Sequence, residues 1–181
     1  MSKFFQRQKS FSARTQRGFL SVEAIIVLVI VIGLIALGAS KSEMLSGNSE
    51  ATEEISNIQA LVTSTRALKS NAGYGASGTD LAATLIAIGG VPTNVAIVGG
   101  VLQNPVGGTY VVTSTGAGFT IATSNLKPTL CVKVVPKLTR SGTFSNTKVG
   151  SGAATTGEIA APAATTACGA AMSTVTYTVA S

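Results

Sequence analysis

Apolar residues are distributed along this chain in three ways, and each predicts a different element. The first is an unbroken run, FLSVEAIIVLVIVIGLIALGA over residues 19–39. As a helix rising 1.5 Å per residue, it spans about 30 Å, the hydrocarbon thickness of a bilayer. The second is periodic. Ile55, Ile58, Leu61, Val62 and Leu68 recur at helical spacing, with Glu54, Gln59, Arg66 and Lys69 between them, which is the pattern of an amphipathic helix. No proline interrupts residues 19–70. The two patterns therefore predict one helix of about 50 residues, apolar all round in its first half and striped in its second. Asn71-Ala72-Gly73 is its expected end.

The third pattern is alternation. Val175, Tyr177 and Val179 alternate with Thr174, Thr176 and Thr178, a period of two that predicts a half-buried strand. Thr109–Ser114 and Phe119–Ser124 flank Thr115-Gly116-Ala117-Gly118 and predict a hairpin. Between helix and hairpin, residues 73–108 are rich in glycine and predict loops. They hold one short helix over Leu81–Ile88, which Thr79-Asp80 can cap and Val91-Pro92 prevents from continuing. Residues 126–138 fit two patterns: Cys131, Val134, Val135 and Leu138 make a helical stripe, whereas Val132, Val134 and Val135 favour a strand. Residues 140–172 are mostly Gly, Ala, Ser and Thr, which suits long surface loops.

Charge assigns sides to the membrane segment. The chain carries a formal net charge of +6, which on its own suggests a nucleic-acid or membrane-surface protein. Five of its thirteen basic residues (Lys3, Arg7, Lys9, Arg14 and Arg17) precede residue 18, where there is no acid. Without them, eight basic residues face seven acidic ones, so basicity belongs to the leader and not to the rest of the chain. A DNA-binding arm would not run directly into a membrane-length apolar segment, and no direct nucleic-acid partner is expected. Beyond the run, Lys41 stands among Glu43, Glu50, Glu53 and Glu54. The positive-inside rule then puts residues 1–18 in the cytoplasm and everything after residue 40 across the membrane.

Two details distinguish this run from an ordinary anchor. Arg17-Gly18-Phe19 places a glycine immediately before the apolar stretch, and Glu23 places a carboxylate five residues into it. An ionised Glu in hydrocarbon costs a few kcal/mol on insertion scales. A conventional signal peptide cut after Ala36-Leu37-Gly38 and an uncleaved anchor both leave Glu23 unexplained. The stretch R-G-F-L-S-V-E followed by a continuous apolar run closely resembles the signal of type IV prepilins. A leader of 18 residues and Phe19 as first mature residue resemble the type IVb branch, in particular the small major pilins of thin, conjugation-associated enteric pili.

That resemblance carries a set of expectations. It implies an α+β, type IV pilin fold, in which a long N-terminal α-helix packs on a small antiparallel β-sheet with a disulfide-bounded C-terminal region. Residues 1–18 would be a leader removed by prepilin peptidase, 19–40 the transmembrane and polymerising half of the helix, 41–72 its amphipathic half and 73–181 the head. Cleavage would fall between Gly18 and Phe19. Glu23 would meet the amine of Phe19 on a neighbouring subunit and so set the register of assembly. The resemblance also favours a helix opening at Pro128.

Cys131 and Cys168 are the only cysteines and lie on the side of the membrane that permits disulfides. Residue order alone leaves them bridged or free, and the resemblance implies a bridge bounding the surface that receptors meet. Expected partners are further copies of the chain in a helical homopolymer, prepilin peptidase, the inner-membrane assembly machinery, the membrane, and a host or recipient-cell surface receptor. The expected place is the inner membrane for the precursor and an extracellular filament afterwards. A minor pilin or a type II secretion pseudopilin is the nearest alternative, though no acidic calcium loop is present.

An enzyme behind an ordinary signal peptide is the alternative from another class, and the residues give it little. There is no His, hence no imidazole base and no common zinc set. Of seven carboxylates, Glu43, Glu50, Glu53 and Glu54 read as a solvated helix face, and Asp80 and Glu158 are isolated in sequence. Gly75-Ala76-Ser77-Gly78 lacks the lysine of a phosphate loop. Neither cofactor nor metal nor catalysis is expected.

Overall fold

The computed structural model describes residues 48–180. Gly18, Phe19, Glu23 and the apolar run 19–39 lie outside the described residues. Among those described, no helix is long and apolar enough to cross a membrane. Helix α1 occupies residues 48–66 and buries Ala51, Ile58, Leu61 and Val62 in the core, close to the expected stripe. It stops before the expected Asn71-Ala72-Gly73. The N–H groups of Leu68 and Lys69 donate to the carbonyls of Thr65 and Arg66, at 3.0 and 3.2 Å, only three residues back. Such bonds tighten and end a helix. The preceding Thr63-Ser64-Thr65 propagates it poorly. Ser70 and Gly73 then exchange both backbone hydrogen bonds in a turn.

Helix α2 (Ala82–Ala87) sits within one residue of the expected Leu81–Ile88 at each end. Its start is held twice. The Asp80 carboxylate accepts the Ala82 N–H at 2.9 Å, and the Leu81 N–H donates to the Val112 carbonyl at 2.8 Å. Asp80→Ala removes the first of these and is expected to cost about 1 kcal/mol, read as a small drop in thermal midpoint with the cooperative transition retained.

The sheet has seven antiparallel strands: β1 (Ala96–Val98), β2 (Val101–Gln103), β3 (Thr109–Ser114), β4 (Phe119–Leu126), β5 (Asn146–Val149), β6 (Thr155–Thr156) and β7 (Ser173–Val179). Their spatial order is β1-β2-β3-β4-β7-β5-β6. The C-terminal strand thus lies in the interior, paired with β4 on one side and β5 on the other. Alternation decides which side chains face the core: Tyr110 and Val112, Phe119 and Ile121, Val175 and Tyr177 are all buried. Phe119 packs edge-on to Tyr74 at 5.1 Å, and Tyr177 stacks at a tilt on Phe144 at 4.9 Å.

Two expectations are corrected, and one left open is decided. The segment before the hairpin is not only loop and α2, because β1 and β2 form a second hairpin across Gly99-Gly100. Both glycines have positive φ, 57° and 82°, as a two-residue turn matched to strand twist requires. Residues 140–172 are not simply long loops but carry β5, β6 and helix α4 (Ala161–Cys168). The undecided stretch 126–138 completes β4 and then forms helix α3 (Pro128–Thr139) with proline in its first turn. There a missing N–H costs nothing.

Candidate functional site

Two constructions in the head bear on function, and the first is the disulfide-bounded face. Helix α3 buries Leu130, Cys131, Val134, Val135 and Leu138 along one side. Helix α4 is shorter and buries only Ala164 and Cys168. The bridge Cys131–Cys168, with Cα atoms 5.9 Å apart, joins the first turn of α3 to the last residue of α4. Hydrogen bonds reinforce it. Thr139 Oγ1 donates to the Val135 carbonyl at 2.9 Å and accepts the Ile159 N–H at 3.0 Å, so the strand-to-helix connection is fastened to α3. Ser173 Oγ donates to the Cys168 carbonyl at 3.1 Å, which fixes the entry to β7. The ion pair Arg140–Glu158 at 3.0 Å is exposed and adds well under 1 kcal/mol.

Between the β5–β6 hairpin and α4 lies a recess of about 800 Å³, its wall carrying the hydroxyls of Ser151, Thr155, Thr166 and Ser173 beside the Glu158 carboxylate. The opposite end of the sheet differs in character. Val98 pairs with Val101, and the register of β2 on β3 continues that row toward Val111. All three are exposed, Val98 by 62%. The head therefore presents a small polar face bounded by the disulfide and, across the sheet, an apolar row.

The second construction lies inside, between α1 and the sheet. Glu54, expected on a solvated face, is 0% exposed. Its Oε2 accepts from the Tyr110 hydroxyl of β3, and its Oε1 from Thr123 Oγ1 of β4, both at 2.7 Å. Thr123 Oγ1 in turn accepts from Asn104 Nδ2 at 3.1 Å. Burial raises the carboxyl above its ordinary value, the two hydroxyls partly oppose this, and nearby Glu53 adds to it. Burial and then the charge of Glu54 push both tyrosines, Tyr110 and Tyr177, well above the usual phenol range. The misplacement has a legible cause. Ala51, Glu54, Ile58, Leu61 and Thr65 follow one another at three- and four-residue steps, so Glu54 falls in the stripe itself. A carboxylate in that position was a signal for a buried polar contact.

Of the residues expected to carry function, Cys131 and Cys168 come together as a bridge. Among the described residues no group of His, Cys, Asp and Glu could hold a metal ion. A family model described as PilS N terminal matches residues 48–180. A type IVb pilin from Salmonella typhi superposes with a TM-score of 0.61 at 26% identity, covering 71% of this chain and 98% of that one. TcpA, a type IV pilin from the El Tor biotype of Vibrio cholerae, superposes with a TM-score of 0.53 over 72% of this chain and 98% of its own. At 16% identity that likeness concerns the fold alone. No curated protein matches the sequence.

Proposed function

Because the chain belongs to the PilS family of type IV pilins, we propose that it is made as a membrane-anchored precursor, cut between Gly18 and Phe19, and polymerised with its own copies into an extracellular type IVb pilus. The observation that carries this reading is a pilin head preceded in the same chain by R-G-F-L-S-V-E and a membrane-length apolar run. In this reading residues 19–40 hold the subunit in the inner membrane, head outward, and then exchange lipid for neighbouring helices. Glu23 and the freed amine of Phe19 are buried as opposite charges, each supplying what the other lacks in a medium of low dielectric. That pairing sets the axial step between subunits. Prepilin peptidase and the inner-membrane assembly machinery are the partners this route requires, and the disulfide-bounded face is the surface left for a host or recipient-cell receptor. The pilus then serves adhesion, aggregation or conjugation. The role is structural, and no residue is assigned to catalysis.

The test compares the wild-type chain with Glu23→Ala in cells that make no other copy. Wild-type subunits are expected to begin at Phe19 and to form filaments visible by electron microscopy. The Glu23→Ala subunits are expected to be cut at the same bond yet to yield at least about tenfold fewer filaments, since an unpaired buried amine is costly. A mature chain beginning at Ala39, or full assembly by Glu23→Ala, refutes the reading.

A further inference from the structure

The seam between α1 and the sheet is built around a carboxyl that meets no cation among the described residues. Each element packed against Glu54 contributes something to it. From β3 comes the Tyr110 hydroxyl and from β4 the Thr123 hydroxyl, both donating at 2.7 Å. From β7 comes Tyr177, fully buried, whose hydroxyl has no hydrogen-bond partner among the described residues. From α1 itself come Glu53, a like charge one residue away, and Asn57, whose Oδ1 accepts from Asn94 Nδ2 at 2.8 Å. None of these groups is positive. An ionised Glu54 is therefore offset only by hydroxyl dipoles, which is a poor exchange for water. The neutral carboxyl loses that penalty: one oxygen still accepts, and the O–H on the other donates to its hydroxyl, which turns from donor to acceptor.

We propose that the docking of α1 onto the sheet is proton-linked through Glu54, tightened when the carboxyl takes up a proton and loosened when it ionises. The sign follows from burial. A carboxyl that holds its proton more firmly in the folded head than in the unfolded chain makes the folded state bind more protons over the intervening pH range. Stability is then fully present below the ordinary carboxylate range and is lost as pH rises through the folded value. Each tenfold strengthening of proton binding changes the folded-to-unfolded ratio tenfold above that range. The chain has no histidine, so no imidazole titrates across the same interval. The proposal concerns the head by itself and holds whether or not subunits polymerise.

The experiment follows thermal unfolding of the full chain in detergent from pH 4.5 to 8 for wild type, Glu54→Gln and Thr123→Val. The wild-type midpoint, taken relative to Glu54→Gln, is expected to fall by several degrees as pH rises. Glu54→Gln keeps the shape and both hydroxyl contacts but cannot ionise, so at neutral pH it should match or exceed wild type. Thr123→Val keeps the carboxyl but removes a donor to its ionised form, so its decline should extend to higher pH than that of wild type. This second variant decides the matter if Glu54→Gln does not fold. A wild-type profile parallel to that of Glu54→Gln overturns the proposal, as does a Thr123→Val decline at the wild-type pH.

Discussion

Replacing Cys131 and Cys168 together by alanine is expected to lower the stability of the head by about 4 kcal/mol, the chain-entropy value for a loop closed over 37 residues. That is a large share of the roughly 5–15 kcal/mol that a domain commands in total. The loss should be local at first. Helix α4 has eight residues, only two of them buried, and one of those is Cys168. Strand β6 has two residues, both exposed. By contrast β3 and β4 pair over five residue pairs, and β4 pairs with β7 along its length. Reduction should therefore loosen residues 150–172 while β1 to β4 stay folded, seen as proteolytic cutting confined to the C-terminal third. Urea unfolding measures the magnitude. A reductant should bring wild type to the level of the double variant and leave the variant unchanged. A loss under about 1 kcal/mol would mean that packing of α3 on α4 holds this face without the bridge.

The elements visible in the sequence are those whose pattern is local. Strand β7 alternates valine and tyrosine with threonine, and β3 and β4 flank a glycine-rich turn, whereas the stripe of α3 fits a strand as well and only the resemblance to pilins favours a helix from Pro128. The elements that escaped are determined by what lies beside them. Asn146-Thr147-Lys148-Val149 has little strand character on its own, and it is a strand because it lies along β7 through four residue pairs. Helix α4, with the sequence APAATTAC, buries too little to form alone and depends on Cys168. The β1–β2 hairpin was legible in principle, since Gly99-Gly100 lies between Ala96-Ile97-Val98 and Val101-Leu102. It was hidden among three other glycine pairs or clusters in the same stretch.

Function was legible in a different part of the chain from structure. The stretch that resembles a prepilin signal, with Gly18, Phe19 and Glu23, lies before residue 48, whereas the family match and the likeness to solved pilins rest on the head. The two lines of support are therefore independent of each other. Glu54 is the charged residue of the α1 stripe that the pattern places wrongly. Its charge suggests exposure, whereas its position in the stripe points to burial. The partners that satisfy it, Tyr110 and Thr123, lie 56 and 69 residues away, beyond the reach of any window on the sequence.

Gly73→Ala is expected to cost about 3 kcal/mol, and the size of the loss identifies what this glycine does. As the terminator of a long helix, its replacement would cost about 1 kcal/mol, the ordinary penalty for a residue with a side chain in a left-handed position. In the structure Gly73 is at φ 89°, seven residues beyond the end of α1 and beneath the β3–β4 turn. A Cβ there would press into the Gly116 carbonyl oxygen, with the Gly116 carbonyl carbon 3.2 Å away. Neither atom belongs to a side chain that can swing aside. That same oxygen accepts the Tyr74 N–H at 2.9 Å, so relieving the clash also breaks this bond, worth about 1 kcal/mol. Tyr74 would then move off Phe119, at the cost of an edge-on aromatic contact worth about 1 kcal/mol. Urea unfolding of Gly73→Ala beside Ala72→Gly separates the two roles. A loss near 3 kcal/mol for the first and a few tenths for the second places Gly73 at the joint between the helix exit and the sheet. Equal losses near 1 kcal/mol would return it to the role of a helix stop.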